Sequence, residues 1–192
     1  MKIHLIRHGS TLANEKKLYC GHTDLPLSEQ GTAEIRTFKE TGIYPTCPDL
    51  YFTSGLNRSK QTLNLIYGPV AYASLSEFNE YNFGDFEMKS YEELKERSDY
   101  QAWAYDTNGL SACPGGECKQ QFTQRVLTGF DSLAEKATAV NETLLLSHGG
   151  VIVSIMEYLF PNTHHFYEWQ TRPGRGYTLI YSEGELYKYE KI

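Results

Sequence analysis

Two short apolar runs in this chain end in the same way. Ile3-His4-Leu5-Ile6 stops at Arg7-His8-Gly9, and Leu144-Leu145-Leu146-Ser147 stops at His148-Gly149-Gly150. Short apolar runs bounded by glycine read as buried strands. In an open α/β sheet, ligands sit in the crevice beyond the carboxyl ends of such strands. If the two strands are parallel neighbours, both imidazoles emerge at one edge. A lone histidine is most often a satisfied core or surface residue. Two His-Gly pairs, each directly after an apolar strand, point instead to a shared site. Arg7 adds a permanently charged fork suited to phosphate. His8 adds a nitrogen nucleophile that titrates near neutrality. His148 also precedes a helical stretch, so free backbone N–H groups and a positive dipole end are expected beside it, a place for an anion.

The rest of the chain supplies the layers around these strands. The pattern predicts a strand over residues 2–6 and a loop over 12–26. A helix capped by Ser28 then carries Ala33, Ile35, Phe38 and Lys39 towards Gly42. A second strand covers 50–53, a helix covers 56–67 up to Gly68-Pro69, and a third strand covers 70–73. Residues 76–88 lack periodicity and read as a loop. Ser90-Tyr91-Glu92-Glu93 resembles a capping box opening a helix that runs towards Tyr105. A turn-rich stretch over 108–116 leads into a long helix over 119–136, with Phe122, Val126, Phe130 and Leu133 at helical spacing. The strand at 143–147 passes into an apolar helix over 151–160. Thr178–Tyr181 and Leu186–Tyr189 close the chain as a hairpin. Alternating strands and helices predict an α/β fold of three layers. Its mainly parallel, mixed β-sheet carries helices on both faces and a C-terminal hairpin. No repeat or linker interrupts it, so one domain over 1–192 is expected, with a cap-like insertion around 77–116.

Charge and cysteine content narrow the function. The 192 residues carry a formal net charge of −6. No basic stripe tracks a nucleic-acid backbone, so cations for a phosphate ester must be concentrated locally. No apolar run approaches the ~20 residues of a membrane span. The N-terminus begins a strand directly, without a signal-peptide pattern, so a cytoplasmic protein is expected. Cys20, Cys47, Cys113 and Cys118 are irregularly spaced, and Cys113 and Cys118 lack a matching His or Cys pair. Free thiols are therefore expected rather than a zinc site.

Arg7-His8-Gly9-Ser10-Thr11 resembles the opening motif of the histidine phosphatase (phosphoglycerate mutase-like) superfamily. Asn14 falls where that family places a phosphate-contacting Asn. Gly21 to Gly31 is similar to its Gly-x-x-Asp-x-x-Leu-Ser-x-x-Gly segment. Thr53-Ser54-Gly55-Leu56-Asn57-Arg58 resembles its Ser-x-Leu-x-Arg helix start, whose Arg binds phosphate. Glu80 to Glu87 resembles the motif whose first Glu is the proton donor, and Ser147-His148-Gly149 supplies the second histidine. The motifs occur in family order over nearly the whole chain. Gly55 stands where proline is common, which is expected only to loosen a turn. Phe86 and Met88 replace the Trp and Gly that usually flank Glu87, and are expected to alter the wall beside Glu80.

The resemblance implies roles. His8 attacks phosphorus through Nε2, with Nδ1 held by a backbone carbonyl. Arg7, Arg58 and His148 surround the phosphoryl oxygens and Asn14 adds a neutral donor, with Gly21 and Gly149 in the substrate-binding set. Glu80 protonates the leaving alkoxide, with Tyr81, Phe83 and Phe86 expected to shield it from water. No cofactor and no metal are implied, because the arginines and histidines neutralise the charge. The compact chain resembles the phosphatase branch more than the mutases. Pro114-Gly115-Gly116-Glu117, followed by a helix with Arg125, is similar to an element of α-ribazole phosphatases and broad-specificity phosphatases; it also reads as a plain turn and helix start. The expected activity is a metal-independent phosphomonoester hydrolase. Its substrate would be α-ribazole 5′-phosphate, linking it to cobalamin biosynthesis, or another small phosphorylated metabolite. Mutase-type phosphoryl transfer and a non-catalytic phosphate-binding module are the alternatives. Either a monomer or a homodimer is compatible. Tyr81, Phe83, Tyr91, Trp103 and Tyr105 line a site for a ring-bearing alcohol or are simply packed, and Arg172 and Arg175 are secondary anion contacts or a solvated loop.

Overall fold

Alternate residues of the first strand go to opposite faces of a sheet, as a period of two requires. Ile3 and Leu5 join one buried cluster with Leu145, Val151 and Phe130, while Ile6 joins another with Ile35, Leu63, Leu144 and Leu146. A strand apolar on both faces must be covered on both. The computed structural model, which describes residues 1–164 and 166–192, has that arrangement. In chain order its elements are β1 (Lys2–Arg7), α1 (Leu12–Glu15), α2 (Glu29–Glu40), β2 (Leu50–Thr53), α3 (Asn57–Tyr67) and β3 (Ala73–Ser74). There follow 3₁₀ turns at Ser76–Phe78 and Gly84–Phe86, then α4 (Tyr91–Leu94), α5 (Ser98–Ala104), α6 (Lys119–Ala137), β4 (Glu142–Ser147), α7 (Gly149–Leu159), α8 (Phe166–Trp169), β5 (Gly176–Ser182) and β6 (Glu185–Lys191).

The sheet order is β3-β2-β4-β1-β5-β6. β1 pairs in parallel with β4, with Arg7 opposite Ser147, and antiparallel with β5. The expected mixed, mainly parallel sheet is therefore present. β1 leads to α2, whose Ile35 packs on one face, and β4 leads to α7, whose Val151 and Ile152 pack on the other. Neighbouring strands that send their helices to opposite faces open a crevice between their carboxyl ends. His8 and His148 are the first residues beyond those ends. The closing hairpin turns at Glu183 and Gly184, both with positive φ (53° and 86°), the geometry of a turn matched to strand twist.

Three local expectations are corrected. The third strand lies at Ala73–Ser74, where it pairs with Phe52 and Thr53, while Val70 packs against the α2/α3 core instead. The loop over 12–26 contains α1, closed by a Thr11/Asn14 capping box. The helix from Ser90 is two helices, because Arg97 is extended (ψ 132°) with its guanidinium 5.3 Å over the Phe86 ring. α8 adds a turn whose Trp169 is buried. Among the described residues no helix is long and apolar enough to cross a membrane.

Candidate active site

His8 sits at the carboxyl end of β1, its backbone N–H donating to Ser147 O on β4 at 3.0 Å. Its ring Nδ1 lies 2.6 Å from Gly9 O. A carbonyl only accepts, so Nδ1 carries the proton and Nε2 keeps its lone pair. Burial, followed by Arg58 and Arg7, holds the imidazole well below its usual pKa range. The ring is thus neutral, with an unprotonated Nε2.

Arg58 is in the first turn of α3 and fully buried. Its Nη2 donates to Gly21 O at 2.6 Å and its Nη1 to Thr23 O at 2.9 Å. Its Nε donates to His148 Nδ1 at 3.3 Å. That bond makes Nδ1 an acceptor and puts the His148 proton on Nε2, which donates to Ser54 Oγ at 2.8 Å. Ser54 Oγ in turn meets Ser59 Oγ at 3.0 Å. Burial, with Arg58, His8 and Arg7 as neighbours, holds His148 well below the imidazole range too. Arg7 donates through Nη1 to Thr171 O at 2.6 Å, and its buried Nε has no partner. A buried donor left unsatisfied costs about 1–3 kcal/mol, a cost that an anion in the crevice would remove.

Glu80 reaches the same crevice from the segment between β3 and α4. Its Oε1 accepts from Tyr81 N and its Oε2 from Gly150 N, both at 2.9 Å. The N-terminus of α7, expected to offer free N–H groups, thus gives one of them to a carboxylate of the protein itself. A Cβ on Gly150 would fall 2.4 Å from Glu80 Oε1 and 3.3 Å from Phe122 Cζ, so Phe122 belongs to the carboxylate's surroundings. Tyr81, Phe83 and Phe86, expected as its shield, pack with Tyr19, Tyr100 and Trp103 in one aromatic group. Tyr91 and Tyr105 are exposed.

Glu87 is the residue that sequence reasoning passed over. Its carboxylate accepts from the N–H groups of Gly21, His22, Thr23 and Phe83 and from Thr23 Oγ1 at 2.7–3.3 Å. These bonds fix the loop whose carbonyls hold Arg58. The signal was its place in the Glu80–Glu87 motif. Gly21 has its N–H on Glu87 and its carbonyl on Arg58, so it enters the site through the protein's own bonds. Asn14 Oδ1 accepts from Thr11 N and Oγ1, which turns its amide NH₂ outward from the cap. Gly149 packs against the Arg7 guanidinium.

The departures also have local causes. Gly55 has φ +89°, which proline cannot adopt, so the residue does more than loosen a turn. Met88 has φ +60°, the left-handed region that favours glycine. Arg175 lies 4.9 Å over the Phe38 ring, and Arg172 is exposed. Cys113 and Cys118 are free and buried.

The arrangement joins a neutral imidazole with an unprotonated Nε2 to two guanidinium groups, a second imidazole and a carboxylate. That is the equipment for in-line phosphoryl transfer. A family model, the histidine phosphatase superfamily (branch 1), matches residues 3–187. The chain is 35% identical over 157 residues to the adenosylcobalamin/alpha-ribazole phosphatase of Salmonella typhimurium, covering 79% of this chain and 76% of that protein. It is 28% identical over 191 residues to the 2,3-bisphosphoglycerate-dependent phosphoglycerate mutase of Beijerinckia indica, covering 92% of this chain and 89% of the mutase. The crystal structure of the alpha-ribazole phosphatase from Shigella flexneri superposes with a TM-score of 0.83 at 28% identity, over 96% of this chain and 92% of that one.

Proposed function

This chain belongs to the histidine phosphatase superfamily, branch 1, and on that footing we propose that it hydrolyses phosphomonoesters through a phosphohistidine on His8. The observation that carries this reading is the His8 tautomer: Nδ1 is committed to Gly9 O, so the lone pair is on Nε2. In the first step Nε2 attacks phosphorus, the P–O ester bond breaks, and Glu80 gives its proton to the leaving alkoxide. In the second, water attacks the phosphohistidine, Glu80 takes a proton from it, the P–N bond breaks and inorganic phosphate leaves. Arg7 and Arg58 neutralise the phosphoryl oxygens, with His148, Asn14 and Gly149 beside them, and Gly21 acts through Arg58. These preorganised charges do the work a metal ion does in other phosphatases, so turnover is independent of added metal.

The substrate is a small phosphorylated metabolite. α-Ribazole 5′-phosphate is the first to test, because that compound's phosphatases share both sequence and fold with this chain. The set is complete within one chain, so the reading holds for a monomer or a homodimer. We take residues 1–192 as a single domain in which 77–116 caps the site. A cytoplasmic setting suits free thiols and a metabolite substrate.

Mutase-type transfer is the second reading, favoured by the Beijerinckia relative. Chain length does not separate the two, since this chain spans 89% of that mutase. The test is turnover of 4-nitrophenyl phosphate and α-ribazole 5′-phosphate in excess EDTA, with and without an acceptor alcohol. Release of inorganic phosphate, abolished by His8→Ala, is expected. Full turnover by His8→Ala eliminates His8 as the nucleophile, and transfer to the acceptor in place of water establishes the mutase.

A further inference from the structure

Arg125 lies on α6, and every one of its five N–H donors is spent on the segment that carries Glu80 or on the partner that shares it. Nη1 donates to Glu77 O and Asn79 O, both at 2.8 Å. Nη2 donates to Glu80 O at 2.9 Å and to Glu117 Oε1 at 2.6 Å, and Nε donates to Glu117 Oε2 at 3.0 Å. Glu117 binds the same segment from the other side. Its Oε1 accepts from Asn82 N at 2.7 Å, and its backbone carbonyl accepts from Tyr81 Oη at 2.7 Å. Its own N–H donates to Asn82 O at 3.0 Å.

Residues 77, 79, 80, 81 and 82 are thus all fastened to one ion pair. Arg125 is only a quarter exposed and Glu117 less, so the pair is largely sheltered from water. The Pro114-Gly115-Gly116 turn brings Glu117 in close, since a Cβ on Gly116 would fall 2.2 Å from Asn82 O. A planar fork with five fixed donors can satisfy three carbonyls and a bidentate carboxylate together; an ammonium cannot.

We propose that Arg125 and Glu117 are positioning residues that aim the Glu80 carboxylate at the leaving-group oxygen. The pair holds the Glu80 backbone while Gly150 N–H holds the far end of its side chain. Displacement of a catalytic group by about 1 Å costs on the order of 100-fold in rate. The inference rests on Glu80 being the proton donor.

The test measures kcat/KM, which reports the steps through P–O cleavage, for phosphate esters from 4-nitrophenyl to alkyl leaving groups. The proteins are the wild type, Glu80→Gln, Arg125→Lys, Glu117→Gln and the double variant Glu80→Gln/Arg125→Lys. Proton donation matters more as the leaving group becomes more basic. For Arg125→Lys we expect a loss that grows with leaving-group basicity and reaches about 100-fold on alkyl esters, paralleling Glu80→Gln. Arg125→Lys should add less than about twofold in the Glu80→Gln background, as expected of residues acting through one another. A uniform loss across the series, or full additivity in the double variant, overturns the proposal while leaving Glu80 as donor. A Glu80→Gln loss independent of leaving group removes the donor reading, and the proposal with it. Should Arg125→Lys fail to fold, Glu117→Gln, which loses the ion pair but keeps the bulk, is held to the same two criteria.

Discussion

The rings of His8 and His148 face each other edge-on, their centroids 5.0 Å apart and their planes at 64°. Their protons lie on opposite kinds of nitrogen: Nδ1 in His8, held by Gly9 O, and Nε2 in His148, held by Ser54 Oγ. Two neutral imidazoles can sit this close beside two guanidinium groups because neither adds a third positive charge. The protonation states are therefore part of the architecture, and they make it sensitive to acid.

In the unfolded chain these histidines titrate at the ordinary imidazole pKa of 6.5, while in the folded protein burial holds His8 and His148 well below it and His4 below it. Below about pH 6.5 the unfolded chain binds more protons than the folded one, so stability falls with pH; above it their contribution is complete and constant. Thermal melts in phosphate-free buffer should give a steady Tm from pH 8 to 6.5 and a decline from there to pH 5.5. His148→Gln should shallow that decline. A Tm that is flat or rising on acidification contradicts the assignment.

Glu87→Gln puts an amide NH₂ where five N–H and O–H donors converge. The 21–23 loop should loosen and Arg58 with it. We expect inhibition by inorganic phosphate to weaken about tenfold, or about 1.4 kcal/mol. In an Arg58→Ala background the same change should have under about twofold effect, because the two act in series. Equal effects in both backgrounds would show that Glu87 does not work through Arg58.

Gly150→Ala places a methyl carbon 2.4 Å from Glu80 Oε1. The carboxylate must move, since the alternative is to shift the first turn of α7. A fall in kcat/KM of about 10–100-fold on alkyl phosphates is expected, with a smaller one on 4-nitrophenyl phosphate. An unchanged ratio between the two substrates refutes it.

Met88→Gly relieves a left-handed backbone at φ +60°. The conformation costs a non-glycine residue about 1–2 kcal/mol, offset by about 0.5–1 kcal/mol for the freer unfolded glycine. A net gain of about 0.5–1 kcal/mol should raise Tm by about 2 °C in a chain of this size. A lower Tm means that the Met88 side chain supplies more packing than its exposure suggests.

The order of strands and helices along the chain made the helix-covered sheet legible, because parallel strands joined by helices bury both faces of the sheet. The hairpin was legible from Glu183-Gly184, and the crevice from two strands that both stop at His-Gly. These are local or periodic signals, written into neighbouring residues by backbone sterics and side-chain direction. The capping box of α1 and the break at Arg97 were less so. One uses Asn14 in place of the usual Glu or Gln, and the other depends on a ring from a different segment.

The sequence by itself determined the α/β class and which residue types stand at the strand ends. Only the tertiary structure decided what each of those groups is bonded to. Glu80 meets Gly150 N–H across 70 positions, Glu87 meets Gly21 across 66, and Arg58 meets His148 across 90. No spacing rule encodes such pairs, because they arise when separately folded backbones approach to within one hydrogen bond. A buried polar atom takes whichever partner the packing brings within reach, since leaving it unpaired costs about 1–3 kcal/mol.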